Sequence, residues 1–330
     1  MTRTRVLTAA AAGFVVLAVC VAARAEEPAG DDAWSTVVDD ARDQLDTQSF
    51  EGHIVVRWDD GERSHRAELD VRQHNGVVEI TDDVRTVASD HERVMLDGQA
   101  WTTLARSTGD DTTALAGAKY QIVKTNGPEI AGNDTTRYEA RRQGRVDERV
   151  YVLDDSSLVL RREVFDADGD VVRSVSFVRV DDEIGRAITT TTEHPAPGPE
   201  RVDDLDAPFR DPDSAGDGYR LLGRWAHDDD LAQLYYSDGV LSVSVFEQPG
   251  RLEWDQLPPG GVDAEVNGHR ARRYALPVGE AWVFERGGVV YTCVGDAPAS
   301  EIAVLARDVS RPSESRVERL ARTVVDPFRW

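Results

Sequence analysis

The chain has 330 residues, a formal net charge of −23 and 40% apolar residues. That length suits two domains of ordinary size, and the apolar share is too large and too well patterned for general disorder. A chain this acidic repels nucleic acid and anionic headgroups, and its composition excludes a polytopic membrane protein, a collagen and a disulfide scaffold.

Residues 1–25 read as an export signal. Arg3 and Arg5 precede an apolar run from Val6 to Ala23, and Ala23-Arg24-Ala25 has the small-x-small form of a cleavage site. Two alternatives stay open. Leu17-Ala18-Val19-Cys20 has the outline of a lipidation box, although Val19 stands where a small residue is wanted. The run is also about as long as a minimal membrane span, so an uncleaved anchor is a further reading. Each reading places the rest of the chain outside the cytoplasm. Cleavage would leave Cys293 without a partner thiol, in the apolar run Val289–Val294, where a buried and inert role is expected.

The next unit spans residues 31–193. Trp34, Val37, Val38, Ala41 and Leu45 share one helical face, with Asp31 and Asp32 at the end that favours negative charge. After Gly52 the period changes to two. Ile54, Val56 and Trp58 alternate with their neighbours, and Leu69 and Val71 do so beyond the turn Asp59-Asp60-Gly61. Short strand patterns recur as far as Val171–Val180, and Asn75-Gly76, Asp97-Gly98 and Asp168-Gly169 are hairpin-turn dipeptides. One long helix and about ten strands joined by short turns predict a curved antiparallel sheet or half-barrel with the helix over its concave face.

Residues 194–218 carry five prolines and many aspartates and read as a linker. Residues 219–310 form a second unit with three hairpins, at Asp238-Gly239, Asn267-Gly268 and Gly287-Gly288, which predict a six-stranded sheet. Leu241, Val243 and Val245 are expected on one face, and Ser242, Ser244 and Phe246 on the other. Pro298 starts a helix with Ile302, Leu305, Ala306 and Val309 on one side, and Pro312 ends it. Residues 311–330 form an amphipathic tail, striped by Val317, Leu320, Ala321, Val324 and Val325. The fold class is therefore α+β, mainly antiparallel β.

Motifs for chemistry are sparse. The sequence has neither a glycine-rich phosphate loop nor a Gly-x-Ser-x-Gly elbow. None of the seven histidines lies two to four residues from another, so local ligands for a metal are lacking. Asp166-Ala167-Asp168-Gly169-Asp170 has a calcium-loop outline, but its glycine is fourth instead of sixth and Phe177 stands where the closing glutamate belongs. A solvated hairpin tip is expected there, and Asp228-Asp229-Asp230 reads as an exposed loop. No enzyme activity, metal or cofactor is expected. The simplest role for a curved sheet with one apolar face is to hold an apolar ligand, the alternative being a closed core.

The run Leu234-Tyr235-Tyr236-Ser237-Asp238-Gly239-Val240-Leu241-Ser242-Val243-Ser244-Val245-Phe246 resembles the signature of the MucB/RseB regulators of sigma-E factors. Gly288–Pro298 is similar to that family's last strand and turn, and Phe50-Glu51-Gly52, Tyr151–Asp154 and Phe165–Gly169 are similar to parts of its first domain. The resemblance covers about residues 33–310 and is densest in 219–310. It implies an exported, non-catalytic protein whose first domain is a half-barrel like those of the lipoprotein carriers LolA and LolB. It also implies a partner, the extracytoplasmic part of a membrane-spanning anti-sigma factor, which the second domain would shield from proteolysis. A lipid in the first domain would loosen that complex, and the acidic surface suits an apolar or acylated ligand better than one bearing phosphates. Within this reading Tyr235, Tyr236, Asp238 and Gly239 are candidate partner contacts, although a turn alone also demands Asp-Gly. Ile54, Val56, Trp58, Leu69, Val71 and Trp101 are candidate lipid contacts. A lipid or lipoprotein carrier is the alternative function, and homo-oligomer formation is left open.

Overall fold

The computed structural model describes residues 49–74, 77–81, 86–89, 94–96, 99–101, 110–153, 158–181, 200–205, 209–227, 231–277 and 279–310. The export signal, the helix expected over 34–45 and the tail 311–330 lie outside these residues, as do the Asn75-Gly76 and Asp97-Gly98 turns. Among the described residues no helix is long and apolar enough to cross a membrane.

The first sheet has eleven strands, all pairing antiparallel. In chain order they are β1 (Phe50–Asp59), β2 (Ser64–His74), β3 (Val77–Thr81), β4 (Thr86–Ser89), β5 (Val94–Leu96) and β6 (Gln99–Trp101), then β7 (Gln121–Asn126), β8 (Thr135–Arg142), β9 (Arg145–Leu153), β10 (Val159–Phe165) and β11 (Val171–Asp181). Their spatial order is β6-β5-β4-β3-β2-β1-β11-β10-β9-β8-β7. Two meanders therefore run outward from a shared centre, where β11 returns to pair with β1. Helix α1 (Asp110–Lys119) joins the two outer edges. Register shifts at His53/Ile54, Ala140/Arg141, Val159/Arg161 and Val164/Phe165 add local twist and bend the sheet.

The second sheet has nine strands, three more than its hairpins predicted. β12 (Glu200–Arg201) and β13 (Ser214–Ala215) are two-residue strands inside the expected linker, and both pair with β14 (Tyr219–His227). They lie against β14, and side chains of β14, β15 and β16 take up polar groups of the linker. The Tyr236 hydroxyl donates to the Pro212 carbonyl at 2.8 Å, the Arg210 amide donates to Glu247, and the Arg224 guanidinium donates to Asp211. β15 (Leu231–Ser237), β16 (Ser242–Pro249), β17 (Val262–Val266), β18 (His269–Leu276), β19 (Gly279–Arg286) and β20 (Val289–Gly295) follow, with β20 inserted between β16 and β19. The three expected hairpins are present. Gly239, Asn267, Gly268, Gly287 and Gly288 all adopt the positive φ that their turns require.

Helix α2 (Ala299–Val309) follows Pro298 and buries Ile302, Leu305, Ala306 and Val309 against Val243, Val245, Phe284 and Tyr291. Fully burying each of the large aliphatic side chains contributes about 1.5–3 kcal/mol. β16 differs from the expected one-sided pattern. Leu241, Val243 and Val245 face this core, yet Ser242, Ser244 and Phe246 are buried as well. On that side of the sheet the loop that includes residues 249–253 and 256–258 lines a pocket together with Phe246, Val283 and Val290.

Candidate functional site

Two features stand out, an apolar face on the first sheet and a charged junction between the sheets. Ile54 pairs across strands with Leu69 on β2 and with Phe177 on β11, and Val56 pairs with Val175. Pairing in register places their side chains on one face. Ile54, Val56, Val71, Val175 and Phe177 are buried in one cluster with Phe50, Val78, Ile80 and Leu160, and Trp58 and Leu69 pack against it half-buried. Five of the six candidate lipid contacts are thus brought together. The sixth, Trp101, ends β6, and its side chain lies outside the described residues.

Gly52 shapes this face. A Cβ at that position would stand 2.6 Å from the Phe177 ring and 2.8 Å from the Arg179 carbonyl, so only glycine lets Phe177 lie across β1. Phe177 in turn meets Phe50 edge to face, with ring centroids 5.8 Å apart.

The candidate partner hairpin sits at the junction. Asp238 is fully buried. One carboxylate oxygen accepts from the Val240 and Leu241 amides of its own turn, at 3.0 and 2.8 Å. The other accepts from the Lys119 ammonium and from the Tyr120 hydroxyl, the latter at 2.6 Å. Lys119 closes α1, so the helix delivers a cation to the second sheet, where it also stands 4.8 Å from the Tyr219 ring centroid. Gly239 and Tyr236 are buried, and Tyr235 is half-buried.

Three further arginines of the first sheet reach acids or carbonyls of the second. Arg142 pairs with Glu301 and, at 2.8 Å, with Asp217. Arg162 forks onto Glu148 at 2.7 and 2.9 Å and donates to Asp296 at 2.7 Å. Arg173 donates to the Asp296 carbonyl at 2.9 Å. In return Arg273 of the second sheet, itself paired with Glu280, donates to the Asp60 carbonyl in the β1–β2 turn. The first sheet therefore presents cations where the second presents carboxylates.

Burial governs the titration of these groups. It pushes the Glu148 carboxyl up to about 7 against the pull of Arg162. It also opposes the Arg162 charge, but Glu148 and Asp296 outweigh it and hold that guanidinium more firmly protonated than usual. Arg173 is lowered, chiefly by burial. Burial, followed by the Asp238 charge, raises the Tyr120 and Tyr219 phenols. Among the described residues no three His, Cys, Asp or Glu side chains group as a metal site. The Asp166–Asp170 loop is a hairpin tip, with Asp166 accepting from the Asp168 and Asp170 amides.

Sequence reasoning missed Lys119, Tyr120, Arg142, Arg162 and Arg173, whose partners in the second domain lie far away along the chain, and Glu148, which pairs with Arg162. One available signal was composition, since Lys119 is one of only two lysines.

Fold and site together define a two-sheet antiparallel protein with an apolar face on its first sheet and a buried ionic junction to its second. Residues 37–195 match the family model of the MucB/RseB N-terminal domain. Among solved structures, the complex of Pseudomonas aeruginosa MucA/MucB is 15% identical, with a TM-score of 0.44, over 83% of this chain and 97% of that one. A structure of MucB is 18% identical, with a TM-score of 0.44, over 82% and 94% of the two chains. MucB in complex with MucA(peri) is 16% identical, with a TM-score of 0.43, over 81% and 94%. No curated protein matches the chain.

Proposed function

We propose that this protein is an exported, non-catalytic regulator that binds the extracytoplasmic part of a membrane-spanning anti-sigma factor and shields it from proteolysis. A sigma factor of the envelope-stress, sigma-E type then stays captive. The observation that carries this reading is the match of residues 37–195 to the MucB/RseB N-terminal domain. The Leu234–Phe246 hairpin signature in the second sheet supports it.

At the hairpin this reading favours Tyr235 as the partner contact, since it is half-buried whereas Tyr236, Asp238 and Gly239 are buried. The experiment is reconstitution of the mature chain with the extracytoplasmic segment of a single-span anti-sigma protein, read as co-elution and as slower cleavage by the initiating protease. Failure to co-elute, with the fold intact by circular dichroism, overturns the reading.

A second reading, a lipid or lipoprotein carrier, is favoured by the shared face of Ile54, Val56, Trp58, Leu69 and Val71. It predicts acyl adducts in native mass spectra that delipidation removes. The same adducts beside an intact anti-sigma complex would make the first domain a lipid sensor.

A further inference from the structure

Asp296 follows the last residue of β20 and joins both sheets. One carboxylate oxygen accepts from the Ser242 amide at 2.7 Å and from its hydroxyl at 3.3 Å, which ties the ends of β16 and β20 together. The other accepts from Arg162, and the Asp296 main-chain carbonyl accepts from Arg173. In the β10–β11 register Arg162 stands opposite Val175, and Arg173 stands opposite Val164. Leu160 and Val175 belong to the apolar cluster of the first sheet, whereas Val164 belongs to the core of the second. The two arginines therefore sit at the changeover between the cores, each less than a tenth exposed.

Apolar contact across this boundary is thin. Among the described residues, Val164 and Val172 pack into the second core and Val240 packs into the first domain. Crevices of about 420 and about 470 Å³, each lined by residues of both domains, open at the contact beside the Asp166–Asp170 tip. Polar junctions of this kind resemble separable interfaces more than a fused core. Buried ions add little net stability when paired, but removing one partner leaves the other charge buried and costly.

We propose that Asp296 is the catch of a reversible latch between the two domains. Only in the docked arrangement does Arg162 gain a second carboxylate beside Glu148, and Arg173 the Asp296 main-chain carbonyl. With the charge neutralised, the two arginines are better solvated apart, and the domains separate as intact units. The proposal goes beyond the anti-sigma reading and does not depend on it.

The test uses the full chain and two variants that approach the catch from opposite sides. Asp296→Asn keeps an acceptor for Ser242 and removes the charge, while Arg173→Met removes a donor of the first domain. Small-angle scattering and hydrogen exchange are read on both. Both variants are expected to raise the radius of gyration and to speed exchange at residues 119–120, 238–242 and 295–298 by about tenfold or more, with the interiors of β1, β11, β15 and β20 unchanged. Three outcomes overturn the latch: no expansion in either variant, joint unfolding of both sheets, or loosening confined to β16 and β20 in Asp296→Asn while Arg173→Met is silent. The last would make Asp296 a clamp within the second sheet only.

Discussion

Lys119 and Asp238, 119 residues apart in the chain, form an ion pair at the meeting of the two sheets. The lysine ends the helix that joins the outer edges of the first sheet, and the aspartate opens the β15–β16 turn of the second. Asp238 thereby performs two tasks with one carboxylate: it satisfies two amides of its own turn and binds Lys119 and Tyr120.

Asp238→Ala removes all of these acceptors and leaves a cation in a partly desolvated site. A loss of about 3–5 kcal/mol is expected, the range for breaking a buried pair from one side. Lys119→Met alone leaves the turn amides satisfied and costs less. A double-mutant cycle by urea unfolding is expected to return a coupling of about 1 kcal/mol or more between the two positions. A coupling near zero would show that Asp238 serves its turn alone.

The second expectation concerns Gly52. A methyl group there meets the Phe177 ring at 2.6 Å and the Arg179 carbonyl at 2.8 Å, and the backbone atom cannot give way as a side chain can. Gly52→Ala is therefore expected to cost about 1–3 kcal/mol through overpacking. Phe177→Leu in the same chain relieves only the ring contact, so thermal unfolding should show a partial rescue. Full rescue would mean that the Arg179 carbonyl imposes no constraint.

How legible each part was follows from the range of its interactions. The turns at Asp238-Gly239, Asn267-Gly268 and Gly287-Gly288 could be read because positive φ is a local demand on two residues. The stripe Ile302, Leu305, Ala306 and Val309 could be read because a helix face repeats within eleven residues. Helix α1 left no such trace. Asp110–Lys119 holds alanine, threonine and a single leucine, so its pattern has no face, and its place comes from Lys119 and Tyr120 docking on Asp238. The junction was likewise hidden, since Arg162 and Asp296 lie 134 residues apart and neither sits in a motif. The candidate lipid face was legible from alternation alone, whereas the burial of Asp238 required knowing what docks on its turn.

Cys293 gives a third prediction. It lies wholly buried on β20, where burial pushes the thiol well above its ordinary range. The reactive species is the thiolate, so the folded protein should resist a maleimide or disulfide reagent at pH 8. Labelling of the Cys293 peptide, followed by mass spectrometry, is expected to track global unfolding across a urea series. Rapid labelling in the folded state would point to local opening of β20.

The last prediction is a pH effect at His53. Its two ring nitrogens face separate carboxylates, Asp70 at 3.0 Å and Glu68 at 3.3 Å, across the β1–β2 pair. Only the imidazolium can donate to both, and these hydrogen bonds, that to Asp70 foremost, raise its pKa above 6.5. The folded state thus binds the proton more tightly than the unfolded chain does. The resulting stabilisation is fully present below pH 6.5 and is lost as the pH rises through the raised folded value. The site is partly open to solvent, so the effect on stability is small, about a few tenths of a kcal/mol. Titration of the His53 ring by NMR is the sensitive measurement. Asp70→Asn is expected to bring its midpoint back toward 6.5 and Glu68→Gln to do so less, in the order of their hydrogen bonds. An unshifted midpoint in the wild-type chain, or an equal fall in both variants, would contradict the assignment of Asp70 as the dominant partner.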